Sequence, residues 1–447
     1  MENIRNALDV KILGVSCGSG LDHLNCAFVR YRQASPGTAL SLELCQDGSV
    51  PTSPIVRNQI LTSLREVHRK PPAVTRLNAL LGYMFSTGIK NFCQSHDIAL
   101  ASIDLVGTHT SGLGRFGPSE ADDLETYSFG WNTNITAETG LSTFFDFTLF
   151  EGGIARPHIS PVAFVNRLFL RHPTKFRACL DIGELANLSF IPPLADEDTR
   201  GTRCRDCGPG SLFIDYAMRY CTSNDQNEDH DGTFATLGKV NEAIVTQFLK
   251  KYNYLRTLPS LSMAREMFGD HEAQRLIDEC LFQRMSGADT VATVTRITAE
   301  NILRQYRKLL ELCFPAGQVV EELFISGPSA RNANIVGYLE AELPESVLTK
   351  PLADIGIPGE ANEAVCYAHL ALEAVLEQAT RSAPAPSTPT PSRSDEDAVR
   401  GRFVRGRDWE SLLVRLQRFS DGTPLQLTKD VRVAGGLETA IEGLGLR

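Results

Sequence analysis

Short apolar runs that end in glycine-rich turns recur three times along the chain. In VKILGVSCGSGLDHLNCAFVRY, residues 10–15 predict a strand and residues 16–21 a loop. A returning strand follows, in which Leu24, Cys26 and Phe28 alternate with smaller or more polar neighbours. FRACLDIGELANLSFIPP repeats the theme, with a strand over 178–182, a turn at Gly183 and a second strand near 185–191. VEELFISGPSARNANIVGYLEAEL predicts a strand, a turn at 327–329 and a helix. Helical stretches lie between them. One covers 54–68, with Ile55, Ile60, Leu61 and Leu64, and another 76–96. A third covers 289–312, with Val291, Val294, Ile297 and Ile302 toward one side, and a fourth 359–379, with Val365, Leu372 and Leu376 near helical spacing.

This alternation predicts an α/β protein with mixed β-sheets and flanking helices. The two strand–turn–strand openings, near residues 10 and 178, predict two related lobes around a central cleft. Lobe I is expected over 1–150, completed by helix 359–379, and lobe II over 151–358. Residues 380–447 are expected to be a Pro/Ser-rich linker and a short amphipathic tail. RSAPAPSTPTPSRSDEDAVRGR, residues 381–402, lacks apolar residues able to build a core and reads as a disordered linker. Beyond it, Trp409, Leu412, Leu413 and Leu416 share one helical face, and TSNDQNEDHDG at 222–232 reads as a surface loop.

At 447 residues the chain is long enough for two or three domains with large cores. Apolar residues make up 42% and charged residues 22%, ordinary for a soluble globular protein. No apolar run of about 18 residues predicts a membrane span. The N-terminus, MENIRNALDVKILG, lacks a basic-then-apolar signal pattern, so a cytoplasmic location is expected. A net charge of −10 argues against nucleic acid as a partner of the whole chain. The eleven cysteines show no framework spacing and read as reduced thiols. Cys204 and Cys207 make a lone C-x-x-C without two further ligands at zinc spacing, which reads as two small residues in a turn.

Between those cysteines stands Asp206, followed by Gly-Pro-Gly and an apolar run. Taking a proton from water or a hydroxyl needs a carboxylate held rigidly in a cleft. Asp, Gly and Pro also form ordinary turns that cap a following helix. Spacing leaves both readings open.

The order of the glycine-rich segments is more informative than any one of them: GVSCGSGLD, GTHTSG, DIGELANLS, DCGPGSLFID, DGTFATLGKVN, SGPSARN, IGIPGEANEA. From residue 11 to about residue 379 the chain resembles the anhydro-N-acetylmuramic acid kinase family, within the acetate kinase, sugar kinase, heat-shock ATPase and actin fold. That family's first phosphate loop, roughly G-L-M-S-G-T-S-x-D-G-x-D, stands here as GVSCGSGLDHLN. Gly18 and Asp22 match, while Cys17, Ser19, Gly20, His23 and Asn25 are replacements. The second loop, N-I-G-G-x-x-N, is DIGELAN, keeping Gly183 and Asn187 with Glu184 in place of a glycine. C-G-G-G-A-x-N becomes SGPSARN, keeping Gly327, Ala330 and Asn332 with Pro328 and Ser329 in place of glycines. DCGPGSLFID matches D-x-G-P-G-N-x-L-x-D most closely. Further matches are His109, Asp146 with Phe147, Asp231 with Gly232, Gly238, Arg265, Glu266, Phe268, and Gly356, Pro358 and Glu363.

The resemblance implies that Asp206 is the general base. It would activate water against the anomeric carbon of a 1,6-anhydro amino sugar while the freed O6 takes the γ-phosphate of ATP. It places Gly18, Ser19, Gly20, Asp22, Gly183, Asn187, Gly208, Gly210, Gly327 and Asn332 on the ATP side. His109, Asp146 and Glu363 go to the sugar and Asp22 to Mg²⁺, while Glu184, a departure from the family's glycine, could itself be recruited by Mg²⁺. It also implies a homodimer.

Bland alternatives stand beside several of these. Asp22 could simply end a turn, His109 could be a core histidine, and Glu363 at a helix start would favour the helix dipole. Arg265 with Glu266 could be a helix-surface pair, and Asp215 reads as a helix contact. Glu184 would either repel phosphate, by about 4 kcal/mol at 4 Å and an effective dielectric of 20, or bind Mg²⁺. Pro328 removes a backbone donor. An active anhydrosugar kinase and a degenerate relative that only binds sugar, nucleotide or protein are therefore the two functional expectations.

Overall fold

The computed structural model describes residues 7–18, 21–66, 71–109, 130–151, 154–155, 160–194, 203–251, 270–382, 398–421, 425 and 430–436. Its strands are β1 (Leu8–Cys17), β2 (His23–Gln33), β3 (Leu40–Pro51), β4 (Leu105–Thr108), β5 (Ser142–Glu151) and β6 (Ile154–Ala155). They continue with β7 (Arg177–Ile182), β8 (Leu185–Ile191), β9 (Arg203–Pro209), β10 (Glu322–Ser326) and β11 (Leu348–Pro351), then β12 (Ala398–Val404) and β13 (Val431–Val433).

Two mixed sheets result, ordered β12-β5-β4-β1-β2-β3-β13, with β6 on β5, and β11-β10-β7-β8-β9. The runs β5-β4-β1-β2-β3 and β11-β10-β7-β8-β9 share one topology. In each, an antiparallel three-strand meander is extended by parallel strands beside its first member. Contacts divide the chain into a first unit of Met1–Pro157, Ile355–Ile357 and Ala361–Arg447 and a second of His158–Asp354 and Pro358–Glu360.

In the first unit, Gly14 of β1 pairs with Gly107 of β4. A Cβ on Gly14 would lie 1.8 Å from the Ala364 carbonyl oxygen, and one on Gly107 2.3 Å from that of Tyr367. The two glycines therefore let the backbone of helix Asn362–Ser382 rest directly on the sheet. Leu13, Val15, Cys26 and Phe28 bury against Phe85, Ile89 and Phe92 of helix Pro71–Ser95.

In the second unit the period of two separates the faces of β7. Ala178, Leu180 and Ile182 enter a core with Phe213 of helix Leu212–Cys221 and Val294 and Ile302 of helix Gly287–Cys313. Arg177, Cys179 and Asp181 alternate with them. Helix Gly287–Cys313 starts at a capping box, in which the Ser286 hydroxyl accepts from the Asp289 amide and Asp289 accepts from the Ser286 amide.

The linker expected over 381–402 is corrected at both ends. Arg381 and Ser382 continue a helix, and Ala398–Val404 forms β12, antiparallel to β5. Residues 383–397 lie outside the described residues. The arginines of AVRGRFV disguise the strand, yet Arg400 and Arg402 lie over the Phe150 and Phe145 rings at 4.1 and 5.5 Å. Val399 is buried, and Phe403 stacks on Phe144 and Trp409. The tail is likewise structured where described. Helix Trp409–Ser420 buries Trp409, Leu412, Leu413 and Leu416, and β13 pairs with β3.

The C-x-x-C is also corrected, since Cys204 and Cys207 lie on strand β9 rather than in a turn. The described residues include all eleven cysteines and no disulfide. Among them no helix is long and apolar enough to cross a membrane.

Candidate active site

In the second sheet β7, β9 and β10 run in one direction, so the turns that follow them leave from one edge. Open α/β sheets place ligands outside such carboxyl ends. Three sequence motifs meet there. The Gly210 amide donates to the Glu184 carbonyl at 2.7 Å, and the Ser211 amide to that of Gly183 at 2.9 Å. This approach requires glycine at 210, where a Cβ would lie 2.2 Å from the Gly183 carbonyl oxygen. Gly208 has a φ of 112°, and Gly327, at 93°, lies so close to Ile182 that a Cβ would meet its backbone at 2.7 Å.

Helix Gly287–Cys313 clamps the Asp206 turn from behind. Thr298 Oγ1 donates to the Gly210 carbonyl at 3.0 Å, and Asn301 Nδ2 to that of Cys207 at 2.7 Å. Asp206 itself lies on β9, one strand residue before Cys207. Register aligns it in a row across four strands: Ser326 opposite Asp181, Asp181 opposite Asn187, Asn187 opposite Asp206. Ser326 Oγ donates to Asp181 Oδ1 at 2.8 Å, and Asn187 Nδ2 to Asp206 Oδ1 at 2.7 Å.

Asp215 stands in the first turn of helix Leu212–Cys221 and accepts from the Ser211 hydroxyl at 2.7 Å. Burial pushes its carboxyl up to about 7, against the Ser211 bond and the Arg219 charge and with help from Glu184 and Glu228. Asn332 caps helix Ala333–Glu342, accepting from the amides of Asn334 and Ile335 at 3.1 and 3.3 Å. That bond explains the residue without a ligand.

The first unit holds the remaining candidates. Gly18 follows β1, and among the described residues nothing lies within 4 Å of where its Cβ would be. The Asp22 carboxylate pairs with Arg57 at 2.8 Å. His109 follows β4, with its ring 5.5 Å from Tyr367 and 6.0 Å from Phe147. Its buried Nδ1 finds no hydrogen-bond partner among the described residues. Burial pushes the imidazole down to about 4, against the pull of Asp146, so it is neutral at pH 7.

Asp146 has a φ of 50° where the β5–β12 register shifts, and it pairs with Arg402 at 3.5 Å. Tyr367 donates its hydroxyl to Glu363 Oε1 at 2.6 Å, joining Glu363 to the His109 group. Ser19, Gly20, Leu261, Arg265, Glu266 and Phe268 lie outside the described residues.

Sequence reading missed Asp181, Thr298, Asn301 and Tyr367. Tyr367 alone carried a local signal, standing one helical turn after Glu363.

Among the described residues no three His, Cys, Asp or Glu side chains converge as a metal cage. Mg²⁺ on a nucleotide needs only one or two carboxylates beside the phosphates. Of the two carboxylates expected at Mg²⁺, Glu184 is half-buried on the turn between β7 and β8, and Asp22 pairs with Arg57.

A family model described as anhydro-N-acetylmuramic acid kinase matches residues 10–387. An anhydro-N-acetylmuramic acid kinase of Caldanaerobacter subterraneus subsp. tengcongensis is 27% identical over 379 residues, covering 83% of this chain and 92% of its own length. Those of Salinibacter ruber and Bacillus cereus are 27% and 28% identical, each covering 81% of this chain and 90% and 92% of their own lengths. A solved ROK family glucokinase from Streptomyces griseus, in complex with glucose and AMPPNP, aligns at 14% identity and a TM-score of 0.31, covering 80% of this chain and 98% of its own.

Proposed function

The chain belongs to the anhydro-N-acetylmuramic acid kinase family, and from that premise we propose that it opens the 1,6-anhydro ring of an anhydro amino sugar with water and phosphorylates O6 from ATP. The observation that carries this reading is Asp206. Its carboxylate is held by Asn187 on a strand whose following turn is pinned by Thr298, Asn301 and the β7–β8 turn. Such fixing is what a general base needs, since proton transfer requires hydrogen-bond reach in a set geometry.

Asp206 takes the proton of the water that attacks the anomeric carbon. The bridging bond between O6 and that carbon breaks, and the released O6 accepts the γ-phosphoryl group of ATP, with ADP as the leaving group. By resemblance, Gly18 and Gly183 are assigned to the phosphates, and the neutral His109 imidazole with Asp146 and Glu363 to the sugar. Mg²⁺ would be held by Glu184 and would offset phosphate charge.

Incubation with ATP and 1,6-anhydro-N-acetylmuramic acid should give a product heavier by one water and one phosphoryl group in mass spectrometry. A product that gains phosphate without water, or no product at all, overturns the reading. The same proposal predicts that Glu184→Gly weakens ATP binding in calorimetry by about tenfold with Mg²⁺ present and leaves it unchanged in EDTA, as for a single lost carboxylate ligand. Tighter ATP binding in this variant would instead make Glu184 a source of repulsion.

A further inference from the structure

Resemblance assigns Asn187 to the ATP phosphates, and the geometry points elsewhere. Asn187 is buried and lies between two neighbours on the same sheet face, Ser189 two residues along β8 and Cys204 two residues before Asp206 on β9. Its Nδ2 donates to Asp206 Oδ1 at 2.7 Å. Its Oδ1 accepts from the Ser189 hydroxyl at 3.4 Å and the Cys204 thiol at 3.3 Å.

Turning the amide over would set its oxygen against a carboxylate oxygen, which leaves two acceptors facing each other. One end of the amide is thus committed to Asp206 and the other to the two donors. Burial pushes the Cys204 thiol up to about 11, so at neutral pH it carries the proton it donates.

We infer that Asn187 is a positioning residue for the Asp206 carboxylate, with Ser189 and Cys204 locking the amide that holds it. The inference rests on Asp206 being the base. It gives Asn187 a role in the water-activating half of the reaction and none in binding ATP. A base displaced by about 1 Å can lose on the order of 10²-fold in rate while substrate binding persists.

Steady-state kinetics on the full chain separate the assignments. Asn187→Leu should lower kcat by about 10- to 100-fold and keep KM for ATP within about twofold of wild type, because only transition-state positioning is lost. In an Asp206→Asn background it should cause no further loss of kcat, since it acts through the missing base. The double variant Ser189→Ala, Cys204→Val keeps Asn187 and removes the lock. It should lower kcat several-fold, again at constant KM for ATP, and so tests the proposal even if Asn187→Leu fails to fold.

An Asn187→Leu enzyme with unchanged kcat and a KM for ATP raised tenfold or more would return the residue to the phosphates and overturn the inference. A lock variant with wild-type kcat would overturn the role of Ser189 and Cys204. If Asp206→Asn alone kept wild-type turnover, the base assignment itself would fail, an outcome distinct from both.

Discussion

Asp206→Asn is expected to lower turnover by about 10³-fold or more, with the melting midpoint and ATP affinity close to wild type. General-base catalysis contributes about 10²–10⁴-fold, and the amide is nearly isosteric with the carboxylate but cannot take the proton. The fold should tolerate the change, because the backbone of the turn is tied down independently by Thr298, Asn301 and the Gly183–Glu184 carbonyls. The bond from Asn187 Nδ2 can still be accepted by the amide oxygen of the variant. Coupled detection of ADP with the anhydrosugar present, beside calorimetry with Mg-ATP, reads both halves of the expectation. Unchanged turnover would remove Asp206 from the chemistry. Absence of Mg-ATP binding in the wild-type protein at millimolar nucleotide would favour the degenerate relative.

Glu322→Leu should destabilise the second unit by about 3–5 kcal/mol, because removing one partner of a buried ion pair leaves the other charge uncompensated. Glu322 opens β10, with its side chain 4% exposed, and meets Lys175, Lys350 and Arg177 at 2.7 Å each. The Arg177 side chain is only 2% exposed. Burial pushes the Glu322 carboxyl up, but the two lysine bonds and the arginine more than offset it, leaving it at about 2.

A carboxyl held below its ordinary 4.5 stabilises the fold above that pH, and the contribution is lost as pH falls from about 4.5 through 2. The full contribution is about 3 kcal/mol, from 1.36 kcal/mol per pH unit. Urea melts at pH 7, 4 and 3 should show the wild type losing stability on acidification and Glu322→Leu losing less. Both tryptophans, Trp131 and Trp409, lie in the first unit, so their fluorescence follows that unit while far-UV circular dichroism follows both. A variant that melts like the wild type at pH 7 would overturn the argument.

Local pattern was enough to place most elements. Strands near 10, 178 and 185 and ahead of the turn at 327, and helices near 54, 76, 289 and 359, follow from apolar spacing between glycine and proline breaks, and each helix starts within about five residues of its expected bound. The motif order likewise marked Asp206, Gly210 and Gly327 before any fold was known. Strand β12 escaped because its arginines read as linker, although their guanidinium groups lie on phenylalanine rings supplied by β5, some 250 residues away in sequence.

Composition and spacing along the chain settle which residues turn inward, because the periods of helix and strand are properties of consecutive residues. They leave open which residues become neighbours across strands. Ser326 reaches Asp181 over 145 positions, and Asn187 reaches Asp206 over 19. Register between separate strands is a product of pairing and core packing. Only the assembled second sheet could therefore align Ser326, Asp181, Asn187 and Asp206 in one row, and only there does an asparagine that resembles a phosphate ligand turn its amide to the Asp206 carboxylate.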